Sequence, residues 1–158
     1  MSEQTTVRRG AHPEASADDL LQLDKQVCFA LAVASRSVIA LYRPVLEPLG
    51  LTHPQYLVML ALWEQSPRTL SGLSSELMLE PATLTPLVKR LESAGLITRA
   101  RSPHDERALS IELTDAGRTL RSRALEVPQQ IIERLGVPVD ELEHTRDALT
   151  RLIDAARA

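Results

Sequence analysis

The 158-residue chain has one cysteine, four aromatic side chains (Phe29, Tyr42, Tyr56 and Trp63) and six glycines. Each scarcity excludes something. A single thiol, Cys28, rules out a disulfide framework within the chain and suits a reducing cytoplasm. So few aromatics weaken any case for a ligand held by ring stacking. The sequence shows no phosphate-cradling glycine loop and no nucleophile elbow. The four histidines, His12, His53, His104 and His144, lack metal-ligand spacing. An enzyme, a metal and a cofactor are therefore not expected. The longest unbroken apolar runs, 27–34 and 56–63, fall far short of the ~18 residues of a membrane span, so no membrane association is expected. Residues 1–17 are polar and lack an apolar signal core, which predicts a disordered tail. A formal net charge of −3 argues against indiscriminate nucleic-acid binding but permits a local basic patch.

What remains is an ordinary globular composition, 44% hydrophobic and 25% charged, long enough for one domain over 18–158. Apolar residues recur at Leu20, Leu23, Val27, Ala30, Ala34, Val38, Leu41 and Val45, the spacing of one helical face. A second stripe runs Cys28, Leu31, Ser35, Ile39 and Tyr42. This predicts a first helix from Asp18 or Asp19 to the 44–48 region. Its two stripes point to a core, a dimer interface or both. Thr52 and Gln55 form a capping box for a second helix whose apolar body, 56–64, predicts a core element. Pro67 breaks it, and Leu70, Leu73 and Leu77 mark a third. Pro81 opens a fourth, with Leu84, Leu87, Val88 and Leu91 inward and Gly95 at its end. Pro86 inside it is awkward, because an interior proline removes a backbone hydrogen bond. The period then changes to two: 97–101 and 109–113 predict a hairpin around a turn at 102–105. Thr114 caps a fifth helix with a kink at Pro128, and Gly136 and Pro138 separate it from a last helix.

Helix, tight turn, helix and hairpin in this order predict a mainly α protein with a winged helix-turn-helix, in which the second helix enters the major groove. Thr83, Thr85, Lys89 and Arg90 face outward as donors for phosphates or base edges, and the hairpin adds Arg99, Arg101 and Arg107. Residues 81–107 hold five Lys/Arg and three Asp/Glu, a local +2 in a chain of −3. A merely solvated helix and hairpin face accounts for the same charges. Asp105 either orients the Arg107 side chain or serves the turn itself.

The stretch LVKRLESAGLITRARSPHDERALSIELTDAGR, with Asp105-x-Arg107 and Leu113-Thr114-x-x-Gly117, resembles the DNA-binding half of MarR-type regulators. QVCFAL, YRPVLEPLGLT, PQYLVMLALWE and TLTPLVKRLE resemble its organic-hydroperoxide-sensing, OhrR-like branch. The resemblance implies a DNA-binding lobe over 52–113 and dimerisation helices over 18–48 and 114–157. It also implies a homodimer on double-stranded operator DNA, contacts from Thr83, Thr85 and Lys89, and a recognition helix that accommodates Pro86. Cys28 becomes the peroxide-reactive thiol, with an organic hydroperoxide as oxidant and a low-molecular-weight thiol as partner after oxidation. Taken alone, a lone cysteine on an apolar helix is as well read as a small inert hydrophobe. A start at Asp18 or Asp19 puts Cys28 two to three turns from the helix dipole's positive end, so its activating donors must come from the fold. Tyr42 lies 14 residues along the same helix, about 21 Å, so any contact with Cys28 comes from the partner subunit. Tyr56 is a further candidate, although it also fits the core. Where relatives carry tyrosine this chain has Ala32 and His53, and His53 is a substitute donor. The alternative keeps the fold but makes a small aromatic ligand the trigger and Cys28 structural.

Overall fold

The computed structural model describes residues 18–158, so the tail predicted over 1–17 lies outside the described residues. The chain divides into two compact units, Met1–Ser37 and Val38–Ala158.

In the described part of the first unit, two turns of 3-10 helix, Asp19–Leu21 and Leu23–Lys25, precede α1 (Val27–Leu46). The helix therefore starts at Val27 and not at Asp18 or Asp19. Asp18 makes no side-chain cap, and Gln22 and Gln26 are extended (ψ 133° and 119°), interrupting the helical path twice. No described residue of this unit is buried, and Leu20, Leu23, Val27 and Phe29 all stand exposed.

The α1 helix with its 3-10 extension, Val27–Leu49, is long and apolar enough to cross a bilayer by length and composition, with a mean hydropathy of 1.4. Unbroken runs understate this, because Ser35, Arg36 and Ser37 interrupt the run without interrupting the helix. Arg36 and Arg43 both fall within the span, and charged groups there are costly in lipid.

The second unit begins within α1, where Val45 and Leu46 enter a core. α2 (His53–Glu64) carries the expected capping box: Thr52 Oγ1 accepts from Gln55 N, and Gln55 Oε1 accepts from Thr52 N. Tyr56, Val58, Met59, Ala61 and Leu62 are buried, while Leu57 and Leu60 on its other side are not. α3 (Leu70–Leu77) is capped by Thr69 and ends at Met78, whose left-handed backbone (φ 54°) makes the tight turn into α4 (Pro81–Ser93). Pro86 lies inside α4. It leaves the Ala82 carbonyl without a helical donor, but Ala82 is exposed and water can serve that oxygen. Gly95 (φ 75°) then reverses the chain into the sheet.

β2 (Ile97–Arg101) and β3 (Leu109–Leu113) pair antiparallel with Ile97 opposite Leu113 and Arg101 opposite Leu109. A two-residue strand that the sequence pattern did not reveal, β1 (Arg68–Thr69), adds to the far side of β3, with Arg68 opposite Ile111. α5 (Asp115–Ala124) is capped by Thr114, whose oxygen accepts from Gly117 N at 3.1 Å. The expected single helix kinked at Pro128 is two helices. The break falls earlier, at Leu125–Glu126, and Pro128 sits in the first turn of α6 (Val127–Leu135), a position that tolerates proline. α7 (Val139–Arg157) follows the left-handed Gly136 and buries none of its residues.

The core joins Leu46, Met59, Leu62, Leu73, Leu84, Leu91, Ile97 and Ile111, all under 2% exposed. It therefore fixes α2, α3, α4 and the hairpin as one block.

Candidate functional site

Four inward residues, Leu84, Leu87, Val88 and Leu91, lock α4 into the core. That burial turns Thr83, Lys89 and Arg90 outward, all exposed. Thr85 is half-buried and donates its hydroxyl to the Pro81 carbonyl at 2.8 Å, leaving its oxygen lone pairs as acceptors.

The hairpin tip is an ordered turn. Ser102 N donates to Ala108 O (2.8 Å) and Ala108 N to Asp105 O (3.0 Å). Asp105 Oδ1 accepts from the backbone N–H of Arg107 at 2.9 Å. Of its two proposed roles, Asp105 thus takes the turn role. The Arg107 guanidinium is exposed and makes no hydrogen bond or ion pair among the described residues. Arg101 Nη1 donates to the Glu106 carbonyl at 3.2 Å. Arg99 is tied to Glu92 at the end of α4, with Nη2 and Nε 2.7 and 2.8 Å from Glu92 Oε2. That hydrogen bond holds the Glu92 carboxyl below its usual range. The sequence pattern does not mark Glu92 as a site residue, since its partner lies seven positions on, across a turn and in a different element.

Cys28 is the second residue of α1 and is exposed. Helical bonding begins with Ala30 N donating to Gln26 O at 3.2 Å. The thiol therefore sits in the first turn, beside backbone N–H groups that lack helical acceptors. This corrects the expectation that Cys28 lies two to three turns from the helix start.

Tyr42, His53 and Tyr56 do come together, in the second unit. The Tyr42 ring meets His53 edge-on at 4.8 Å and Tyr56 at 5.9 Å, and Tyr56 meets Trp63 at 6.5 Å. Burial raises the pKa of both phenols and lowers that of His53. Neither phenol hydroxyl has a hydrogen-bond partner among the described residues. Beside this cluster, α2 and the α5–α6 corner flank an open cleft of about 340 Å³ whose lining includes Tyr56, Leu60, Trp63, Glu64, Arg121 and Pro128.

Residues 40–123 match the family described as Transcriptional regulator SarA/Rot. The chain is 39% identical over 136 residues to the Organic hydroperoxide resistance transcriptional regulator of Bacillus subtilis, covering 86% of this chain and 92% of that one. Its fold matches the reduced, DNA-bound structure of AbfR, a Staphylococcus epidermidis protein, with a TM-score of 0.74 and 33% identity over 89% of this chain and 99% of that one. A MarR-family regulator from Rhodococcus superposes equally well (TM-score 0.74, 27% identity, 84% and 95% covered). The chain belongs to the MarR family of transcriptional regulators, in its OhrR-like branch. α3 and α4 are therefore its helix-turn-helix and β2–β3 its wing. Its relatives are DNA-binding regulators rather than enzymes.

Proposed function

We propose that this MarR-family protein is a cytoplasmic homodimeric repressor that leaves its operator when an organic hydroperoxide oxidises Cys28. The observation that carries this reading is the place of the sole thiol: exposed, in the first turn of an apolar helix, beside backbone N–H groups without helical acceptors. The relatives add weight: one is named for organic hydroperoxide resistance, and AbfR has a reduced form bound to DNA and a disulfide form; its overoxidised form is also DNA-bound, which favours the disulfide over simple oxygen addition as the releasing state.

In the proposed step the Cys28 thiolate attacks the outer oxygen of ROOH. An S–O bond forms, the O–O bond breaks, the alkoxide leaves as ROH after taking a proton, and sulfur is oxidised to the sulfenic acid. A low-molecular-weight thiol then displaces water to give a mixed disulfide, since the chain has no second cysteine. Apolar residues left uncovered on α1, Val33 and Ile39, and on α7, Leu149 and Ile153, supply dimer contacts from each helix. Tyr42, His53 and Tyr56 supply the donor side of the sensor, with Tyr42 reaching the partner subunit's thiol because the length of α1 separates it from its own. A thiol adduct on Cys28, exposed in one subunit, overpacks the contact that the partner makes there in the dimer, at a cost of ~1–3 kcal/mol, enough to shift a dimer away from its DNA-competent geometry.

Thr83, Thr85, Lys89 and Arg90 read the major groove, and Arg101 and Arg107 of the wing hold the backbone. The cleft between α2 and α5–α6 favours a second reading, release by a small aromatic acid that Trp63 and Tyr56 flank and Arg121 pairs with. Replacing Cys28 by serine separates the two. Loss of the peroxide response with DNA binding retained supports redox release, and an unchanged response removes it in favour of the cleft.

A further inference from the structure

Arg99 stands among the basic residues of the wing, yet its side chain is engaged elsewhere. Two of its nitrogens converge on one oxygen of Glu92, at 2.7 and 2.8 Å. Glu92 lies in the last turn of α4 and Arg99 in the middle of β2, so the pair bridges recognition helix and wing. Between them the chain turns through Ala94, the left-handed Gly95 and Leu96. That turn is held by Leu96 N on Leu91 O (3.1 Å) and by the Thr114 hydroxyl on Gly95 O (2.6 Å). Within the sheet, Arg99 is in register with Ile111, which is fully buried.

We infer that Arg99 is a positioning residue rather than a phosphate ligand: with Glu92 it straps the wing to the recognition helix and fixes the angle at which both meet DNA. This rests on the DNA-binding reading above. The charge balance is consistent with it, because removing the pair from 81–107 takes away one charge of each sign and leaves Lys89, Arg90, Arg101 and Arg107 as the cations. A guanidinium with two short bonds to a carboxylate must break a charge-assisted pair to reach a phosphate, whereas Arg107 has no such partner among the described residues.

Salt dependence separates the two roles, because removing a cation that neutralises a phosphate lowers the slope of log K against log salt by about 0.9. The probe is a duplex selected by the wild-type protein from a random library. Arg107→Ala is expected to lower the slope by about 0.9. Arg99→Ala is expected to weaken binding about three- to tenfold with the slope unchanged. Glu92→Gln, the gentler cut, should cost a similar factor, and Glu92→Gln with Arg99→Ala no more than the larger single effect. A slope lowered by Arg99→Ala, or tighter binding by Glu92→Gln as its arginine is released, overturns the strap and leaves the DNA-binding reading intact. Failure of the wild-type protein to bind any duplex overturns that reading and the strap with it.

Discussion

At Gly117 a single missing Cβ holds two elements together. A methyl group there meets the Leu96 carbonyl oxygen at 2.1 Å, and that carbonyl already accepts from Thr114 N at 3.0 Å. The obstruction is backbone, so no rotamer relieves it. Gly117→Ala is expected to destabilise by more than the ~1–3 kcal/mol of ordinary overpacking, measured by chemical denaturation. The Gly117 carbonyl in turn accepts from Trp63 Nε1 at 2.8 Å, linking α2 to α5. His53 gives a pH signature. Burial lowers its folded pKa, so the unfolded chain takes up a proton first as pH falls from about 6.5. Its contribution to stability is present above that value and is lost as pH falls through the folded pKa. Thermal melts between pH 7.5 and 5 should show a steeper acid loss for the wild type than for His53→Gln.

At the level of elements, α4 and the hairpin carry the DNA-binding reading. Thr83→Ala combined with Lys89→Ala is expected to abolish operator binding in a gel-shift titration while leaving the melting temperature nearly unchanged, since both side chains are exposed. These elements were legible in the sequence because local chemistry marks them: the Thr52–Gln55 box, Pro81 in a first turn, Gly95 at a helix end, and strict alternation through Leu109, Ile111 and Leu113. The features that the sequence conceals have the opposite character. β1 is two residues long and exists through pairing with Ile111 and Ser110, some forty positions on. The α1 start is concealed because Asp18 and Asp19 are good capping types, yet two 3-10 turns compete with the α-helix before Val27. That difference matters most, because it moves Cys28 from mid-helix to the first turn. The Glu92–Arg99 pair is hidden for the same reason as β1, being a contact across a turn rather than along a periodic face.

For the whole molecule, the uncovered apolar length of α1 and α7 sets the expectation of a dimer, checked by sedimentation equilibrium at micromolar concentration. Charge placed on that surface, as in Ile153→Glu, should shift the protein toward monomer and weaken operator binding with it. In the proposed mechanism, oxidation of Cys28 itself releases DNA. The most direct measurement adds cumene hydroperoxide stepwise to the reduced protein on a fluorescent operator duplex, with a small thiol present, and takes anisotropy and intact mass from each sample. Release is expected to follow the fraction of Cys28 carried as sulfenic acid or mixed disulfide, and the Cys28→Ser protein is expected to stay bound throughout. Release of Cys28→Ser at the same peroxide dose, or a wild-type protein fully modified at Cys28 and still on its operator, would contradict that mechanism.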